Sequence, residues 1–314
     1  MDGAARTGGL DRLLAHGRVG LLDGGLATQL ERMGADLDDP LWSARLLLDD
    51  PSMIAAAHRA YLEAGAEVLI TASYQASFEG LAGRGASRAE AEEVLRTSVA
   101  LAREVRDAWV REHGPAAAPL VAASVGPFGA MLADGSEYTG RYGVGRGRLV
   151  TFHARRLEVL ADPATGADLL AVETIPSALE AEVLVDLLAG LDGPPAWLSL
   201  TCRDEAHLAD GTPFADVVAL AADSGAVVAI GVNCTAPRLV EPLVASAASA
   251  GRPVVAYPNR GDRWDPERRT WVGGGEPDLA ALVPAWVAAG ARLVGGCCGT
   301  GPDDVRAIGR VLAP

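Results

Sequence analysis

Ala226-Val227-Val228-Ala229-Ile230-Gly231-Val232-Asn233-Cys234 is apolar without interruption until its last two residues. A short run of this kind, rich in valine and without polar alternation, reads as a strand covered on both faces, the mark of a parallel sheet. Seven similar runs occur at 19–23, 68–71, 119–125, 168–173, 196–201, 253–259 and 291–297. Between them lie stretches rich in Ala, Leu, Glu and Arg with helical patterning, such as 51–64, 87–112, 178–189, 213–222, 237–250 and 278–289. Eight strand–helix units in 314 residues fit an α/β protein of the (β/α)8 TIM barrel type better than an open doubly wound sheet. The glycine cluster Gly143-Val144-Gly145-Arg146-Gly147 follows a polar loop instead of a strand, and it lacks dinucleotide-binding spacing. Residues 1–314 are therefore expected to form a single barrel domain, with 1–15 a flexible or peripheral N-terminal segment. The irregular section 126–147 is a candidate lid.

Composition narrows the chemistry. A hydrophobic content of 49% supports a large core, and a net charge of -14 argues against nucleic acid and against an anionic membrane surface. No apolar stretch is long enough to span a bilayer, and residues 1–18 hold no signal-peptide core, so a reducing, cytoplasmic setting is expected. All 27 basic residues are arginine. Without a lysine amine there is no Schiff-base aldolase, no pyridoxal enzyme and no P-loop. The arginine bias itself needs no more than a GC-rich genome.

Cys234 closes the run quoted first, and Cys297-Cys298 close the run at 291–297. A cysteine at a strand end is by default a small core residue. Clustered thiols in a chain with four cysteines and no secretory signal point instead to metal or redox chemistry. Three thiolates are the ligand set of an open zinc site, whose fourth tetrahedral position stays free for water or substrate. A vicinal-dithiol redox pair is the alternative. Every strand's C-terminal end also carries a polar group, among them Asp23, Ser124, Glu173, Thr201-Cys202, Asn233 and Tyr257 to Asn259. Barrel active sites form on that rim.

Seven motifs carry a family resemblance. They are Asp23-Gly24-Gly25-Leu26-Ala27-Thr28-Gln29-Leu30, Gly126-Pro127, Gly135-Ser136-Glu137-Tyr138-Thr139-Gly140, Glu173-Thr174-Ile175-Pro176, Gly231-Val232-Asn233-Cys234, Tyr257-Pro258-Asn259 and Gly295-Gly296-Cys297-Cys298. Spread over nearly the whole chain, they resemble the zinc-dependent homocysteine S-methyltransferases, closest to the single-domain branch that uses S-methylmethionine or S-adenosylmethionine. The resemblance implies that Cys234, Cys297 and Cys298 hold Zn2+ and that the homocysteine thiolate becomes the fourth ligand. It implies that Asp23 and Glu173 receive the homocysteine amino group, and that the Gly25 and Leu26 N–H groups receive its carboxylate. Asn233 is placed to orient substrate or a coordinating thiolate. Transfer from sulfonium to thiolate needs in-line placement and no proton shuttle.

On the donor side, Glu137 with Tyr138, Phe128, Tyr74 and Trp42 could wall a sulfonium, because cations are drawn to carboxylates and ring faces. Arg141 and Arg260 depart from the branch's usual residues. Cys202 could reach the metal as a further thiol. The histidines, His16, His58, His113, His153 and His207, show no paired metal spacing and read as surface or helix residues. A homocysteine-activating module of a partner-dependent methionine synthase would share the cysteine motif, and it stands beside the redox protein as an alternative.

Overall fold

The apolar runs pair with one another into a single closed sheet. The computed structural model describes residues 8–39, 41–261, 263–265, 270–273 and 278–313. Its barrel strands are β1 (Gly20–Leu21), β2 (Val68–Ile70), β3 (Leu120–Val125), β4 (Leu169–Ile175), β5 (Ala196–Leu200), β6 (Val227–Asn233), β7 (Val254–Tyr257) and β8 (Ala291–Val294). All neighbours are parallel, from β1 through β8 and back down to β2. A parallel bridge between Leu22 and Val68 closes the ring. This is the (β/α)8 barrel expected from the eight runs. An antiparallel hairpin, Arg263–Asp265 with Thr270–Val272, follows β7 outside the barrel sheet.

The larger described helices are α1 (Leu26–Arg32), α2 (Pro51–Glu63), α3 (Arg88–His113), α4 (Arg146–Ala161), α5 (Ala178–Ala189), α6 (Phe214–Ala222), α7 (Val240–Ala248), α8 (Val283–Ala289) and α9 (Pro302–Leu312). Their starts follow local chemistry. Ser87 and Glu90 form a reciprocal capping box on α3, and the Ser177 side chain caps α5. None of the described helices is long and apolar enough to cross a membrane.

Alternation along each strand separates two cores. On β4, Leu170 and Val172 pack outward against the helices, while Leu169 and Ala171 face the barrel interior. The interior balances small Ala122, Ala171 and Ala229 against large Trp197 and Tyr257. Trp197 Nε1 donates to the Tyr257 hydroxyl at 3.0 Å, so these rings fill the barrel without leaving a buried donor unpaired. At Gly231 a Cβ would lie 1.8 Å from the Val255 carbonyl oxygen, so only glycine lets β6 and β7 approach this closely.

Two expectations change here. The segment 1–15 is not peripheral from residue 8 onward: Gly8–Leu13 is a helix whose Leu10 and Leu13 are 3% and 9% exposed and join the interior cluster with Val68 and Leu120. Residues 1–7 lie outside the described residues. The section 126–147 is likewise not irregular throughout, since it holds a short helix, Phe128–Leu132, and a 3-10 turn, Ser136–Tyr138.

Candidate active site

The three cysteines converge on one rim. Cys234 leaves β6 and Cys297-Cys298 leave β8, with β7 between them as a brace. The Cys234 N–H donates to the Tyr257 carbonyl and the Cys297 N–H to the Pro258 carbonyl, at 3.2 and 2.8 Å. Cys234 sits at φ +47, a left-handed turn that takes its side chain out of the strand direction. The three Sγ atoms lie within 4.8 Å of one another, and Cys234 and Cys298 are 3.6 Å apart. Sulfurs bound tetrahedrally at 2.3 Å from zinc would be about 3.8 Å apart, so the donor set fits that ion. Hydrogen bonds from Cys234 and Cys297 push the Cys298 thiol well below its usual range, while hydrogen bonds with Cys297 and Cys298 and then burial push Cys234 up.

Cys202 does not join them. Among the described residues the metal-capable group is Cys234, Cys297 and Cys298 alone. Cys202 is a buried thiol raised by burial, and its N–H is bound to Thr235 Oγ1 at 3.0 Å.

Asp23 closes the run of β1 and Glu173 lies near the end of β4, both beside Cys297. Both are buried, at 2% and 6% exposure. Glu173 accepts from the Ser124 hydroxyl at 2.5 Å and from Tyr257, and its pKa is pushed up to about 8 by burial first and then by Cys297. Asp23 accepts from the Ile70 N–H at 2.8 Å through Oδ2, while its buried Oδ1 has no partner. Burial, with Glu173 and Cys297 nearby, holds Asp23 well above the usual carboxylate range. An arriving ammonium would supply the missing donor and the compensating charge. The Gly25 N–H is already engaged by the Thr300 carbonyl and hydroxyl, at 3.1 and 3.2 Å. Leu26 opens α1, where first-turn N–H groups have no partner within the helix.

Thr300 is a hub that sequence reasoning missed. Its hydroxyl donates to the Cys297 carbonyl at 2.6 Å, and Tyr61 binds the Gly25 and Thr300 carbonyls at 2.8 and 3.3 Å. The glycine turn and the cysteine turn are thus bolted together. A Cβ on Gly25 would meet the Cys297 carbonyl at 2.6 Å, and one on Gly296 the Thr300 hydroxyl at 2.2 Å. Gly25 needs glycine because a second backbone meets it there, and Gly296 because the Thr300 side chain packs directly on it.

A cavity of about 140 Å³ opens above the thiols, lined among others by Leu26, Trp42, Tyr74, Glu137, Tyr138, Glu173 and all three cysteines. Glu137 has its pKa raised to about 7 by burial, and its Oε2 lacks a partner. The Tyr138 hydroxyl lies 3.9 Å from Cys234 Sγ. Phe128, expected on this wall, is elsewhere: it packs with Leu149, Phe152 and Val183 behind the lid, and Arg148 lies over its ring at 4.8 Å. Arg141 lines a second cavity of about 610 Å³ with Arg203 and Arg238, sharing Tyr138 and Cys234 with the first. Arg260 runs to Asp304 at 3.5 Å.

Two buried side chains anchor the 126–147 segment. Glu180 accepts from the Phe128 N–H, His153 Nε2 and the Tyr142 hydroxyl at 2.6, 2.8 and 2.9 Å. Arg156 donates to the Gly126, Ser73 and Tyr74 carbonyls. The sequence signal was available, since Arg156 interrupts the apolar stripe Leu149, Phe152, Leu157 and Leu160 of α4.

Comparisons with known proteins agree with this geometry. A family model described as homocysteine S-methyltransferase matches residues 20–312. The homocysteine S-methyltransferase of Escherichia coli (strain K12) is 46% identical over 95% of this chain and 97% of its own length. The selenocysteine Se-methyltransferase of Brassica oleracea var. italica is 44% identical over 94% of this chain and 89% of its own. Among solved structures, the metallated form of the homocysteine methyltransferase MmuM from Escherichia coli superposes with a TM-score of 0.86 at 44% identity, covering 96% of this chain and 98% of that one.

Proposed function

This chain belongs to the homocysteine S-methyltransferase family, and on that premise we propose how its own residues carry the reaction, with S-methylmethionine as first donor and S-adenosylmethionine as second. The protein transfers a methyl group to homocysteine. The observation that carries the fuller reading is the convergence of Cys234, Cys297 and Cys298 beside two buried carboxylates.

Cys234, Cys297 and Cys298 would hold Zn2+, and their soft sulfur donors at this spacing support that ion. Bound there, it would supply the positive charge that keeps the homocysteine thiol deprotonated at neutral pH. Asp23, through its unpaired Oδ1, and Glu173 take the α-ammonium. The Leu26 N–H takes the carboxylate, with Gly25 supporting the turn through Thr300. Asn233 orients Cys297 through its amide, 3.9 Å from the sulfur. On the lid, Glu137 and Tyr138 face the sulfonium, and Tyr74 and Trp42 complete the wall. The acceptor sulfur forms the new bond to the methyl carbon as the donor sulfur releases it, and the donor leaves as a neutral thioether. No side chain has to move a proton, so placement supplies the rate. Free thiolates suit a reducing, cytoplasmic compartment.

Zinc-loaded protein should form methionine from homocysteine when S-methylmethionine is supplied, more slowly with S-adenosylmethionine, and not with glycine betaine. Absence of methionine from both sulfonium donors, with zinc still bound at about one per chain, overturns the donor assignment.

A further inference from the structure

Thr174 is a polar residue of the site held in a strained backbone. It lies near the end of β4 with φ +60, a region that β-branched residues rarely enter. The pairing of β4 with β5 also slips between Val172 and Ile175, so Glu173 and Thr174 form a local irregularity. Such irregularities re-aim side chains beside active sites. Glycine would adopt this backbone without strain, so what threonine adds here is its side chain.

That side chain is fully engaged. The Thr174 N–H donates to Asn233 Oδ1 at 2.7 Å, and Asn233 Nδ2 donates to Thr174 Oγ1 at 2.7 Å. The same Nδ2 reaches Cys297 Sγ at 3.9 Å. On its other side the Thr174 hydroxyl neighbours the Tyr74 phenol, and both residues line the cavity. An unbroken chain of side chains thus runs from an aromatic wall, through one hydroxyl and one amide, to a thiol of the cysteine cluster.

We propose that Thr174 is a positioning residue for methyl transfer: its hydroxyl registers Tyr74 on the donor side and the Asn233 amide on the Cys297 side, so one side chain aligns both reacting sulfurs. The proposal rests on the donor and metal reading above. Catalysis by placement makes such a shared reference valuable, because an error in either partner lengthens the same transfer distance.

Thr174→Val keeps the shape and removes the hydroxyl. It should raise the KM for S-methylmethionine about tenfold, as expected for a lost hydrogen bond next to a ligand, and leave the homocysteine KM within about twofold. It should also weaken zinc binding about tenfold and shift the thiolate-to-metal absorption of the cobalt(II)-loaded protein, as outer-sphere losses do. Thr174→Ser should restore all of these. Tyr74→Phe should reproduce the donor effect alone and add nothing in the Thr174→Val background. If Thr174→Val fails to fold, Thr174→Gly serves: the metal-free protein should unfold no earlier than wild type while donor KM and zinc affinity both worsen.

A Thr174→Val protein with wild-type donor KM, zinc affinity and cobalt spectrum overturns the proposal, as does full multiplication of the Tyr74 and Thr174 effects. A wild-type protein inactive with sulfonium donors would instead overturn the donor reading, and the zinc and cobalt measurements would still decide the Asn233 side.

Discussion

His58 is fully buried on α2 with neither ring nitrogen bonded, and burial lowers its pKa from 6.5 to about 4. The native state therefore keeps the ring neutral where the unfolded chain would protonate it. Its contribution to stability is complete above pH 6.5 and is lost progressively as pH falls toward 4, because the unfolded state binds the extra proton in that window. Between pH 7 and pH 5 this should cost roughly 2 kcal/mol. Urea unfolding of wild type and His58→Leu at the two values checks it, and an equal loss in both proteins would remove His58 as the cause. At this scale the sequence was informative where one residue carries its own chemistry. The cluster of Cys234, Cys297 and Cys298 was legible because adjacent thiols at strand ends point to metal or redox chemistry, whereas the roles of Asp23 and Glu173 entered with the family resemblance. Thr300 and Tyr61 were not, since ordinary residues acquire their roles from partners far along the chain: Gly25 meets Thr300 across 275 positions.

At the scale of elements, the lid is a loop held by helices that come later in the chain. Its Gly-rich composition reads as irregular, and locally it is; its order comes from Glu180 on α5 and Arg156 on α4. No window of sequence contains both halves of that arrangement. Glu180→Gln leaves an amide N–H2 facing one of three donors that now point at a carboxylate. Losing one such bond to a charged group should raise the donor KM about tenfold while homocysteine affinity and zinc content stay at wild-type values. Steady-state kinetics with each substrate varied separately tests this, and a matching rise in the homocysteine KM would mean that the lid's anchor also serves the acceptor. The strands were more legible than the lid, because a run buried on both faces keeps its apolar signature whatever packs against it.

For the whole molecule, closure of the ring depends on a two-residue β1 and the single bridge from Leu22 to Val68, yet the eight-strand count was legible from rhythm alone. What the rhythm does not reveal is the plug. Trp197 and Tyr257 fill the barrel's interior beneath the thiols, and Leu10 and Leu13 join the same interior cluster. The pocket is thereby a cul-de-sac. Glu173, which with the buried Asp23 receives the acceptor in our reading, is a buried part of its wall, while Glu137 and Tyr138 come in on the 126–147 segment. Traffic in such a space keeps a queue: the amino acid that is methylated enters first and leaves last, and the spent donor must step out before it. With S-adenosylmethionine as donor, so that the two products differ, product-inhibition patterns would record that order, with methionine competing against homocysteine alone, and a random pattern would mean the alley has a second door.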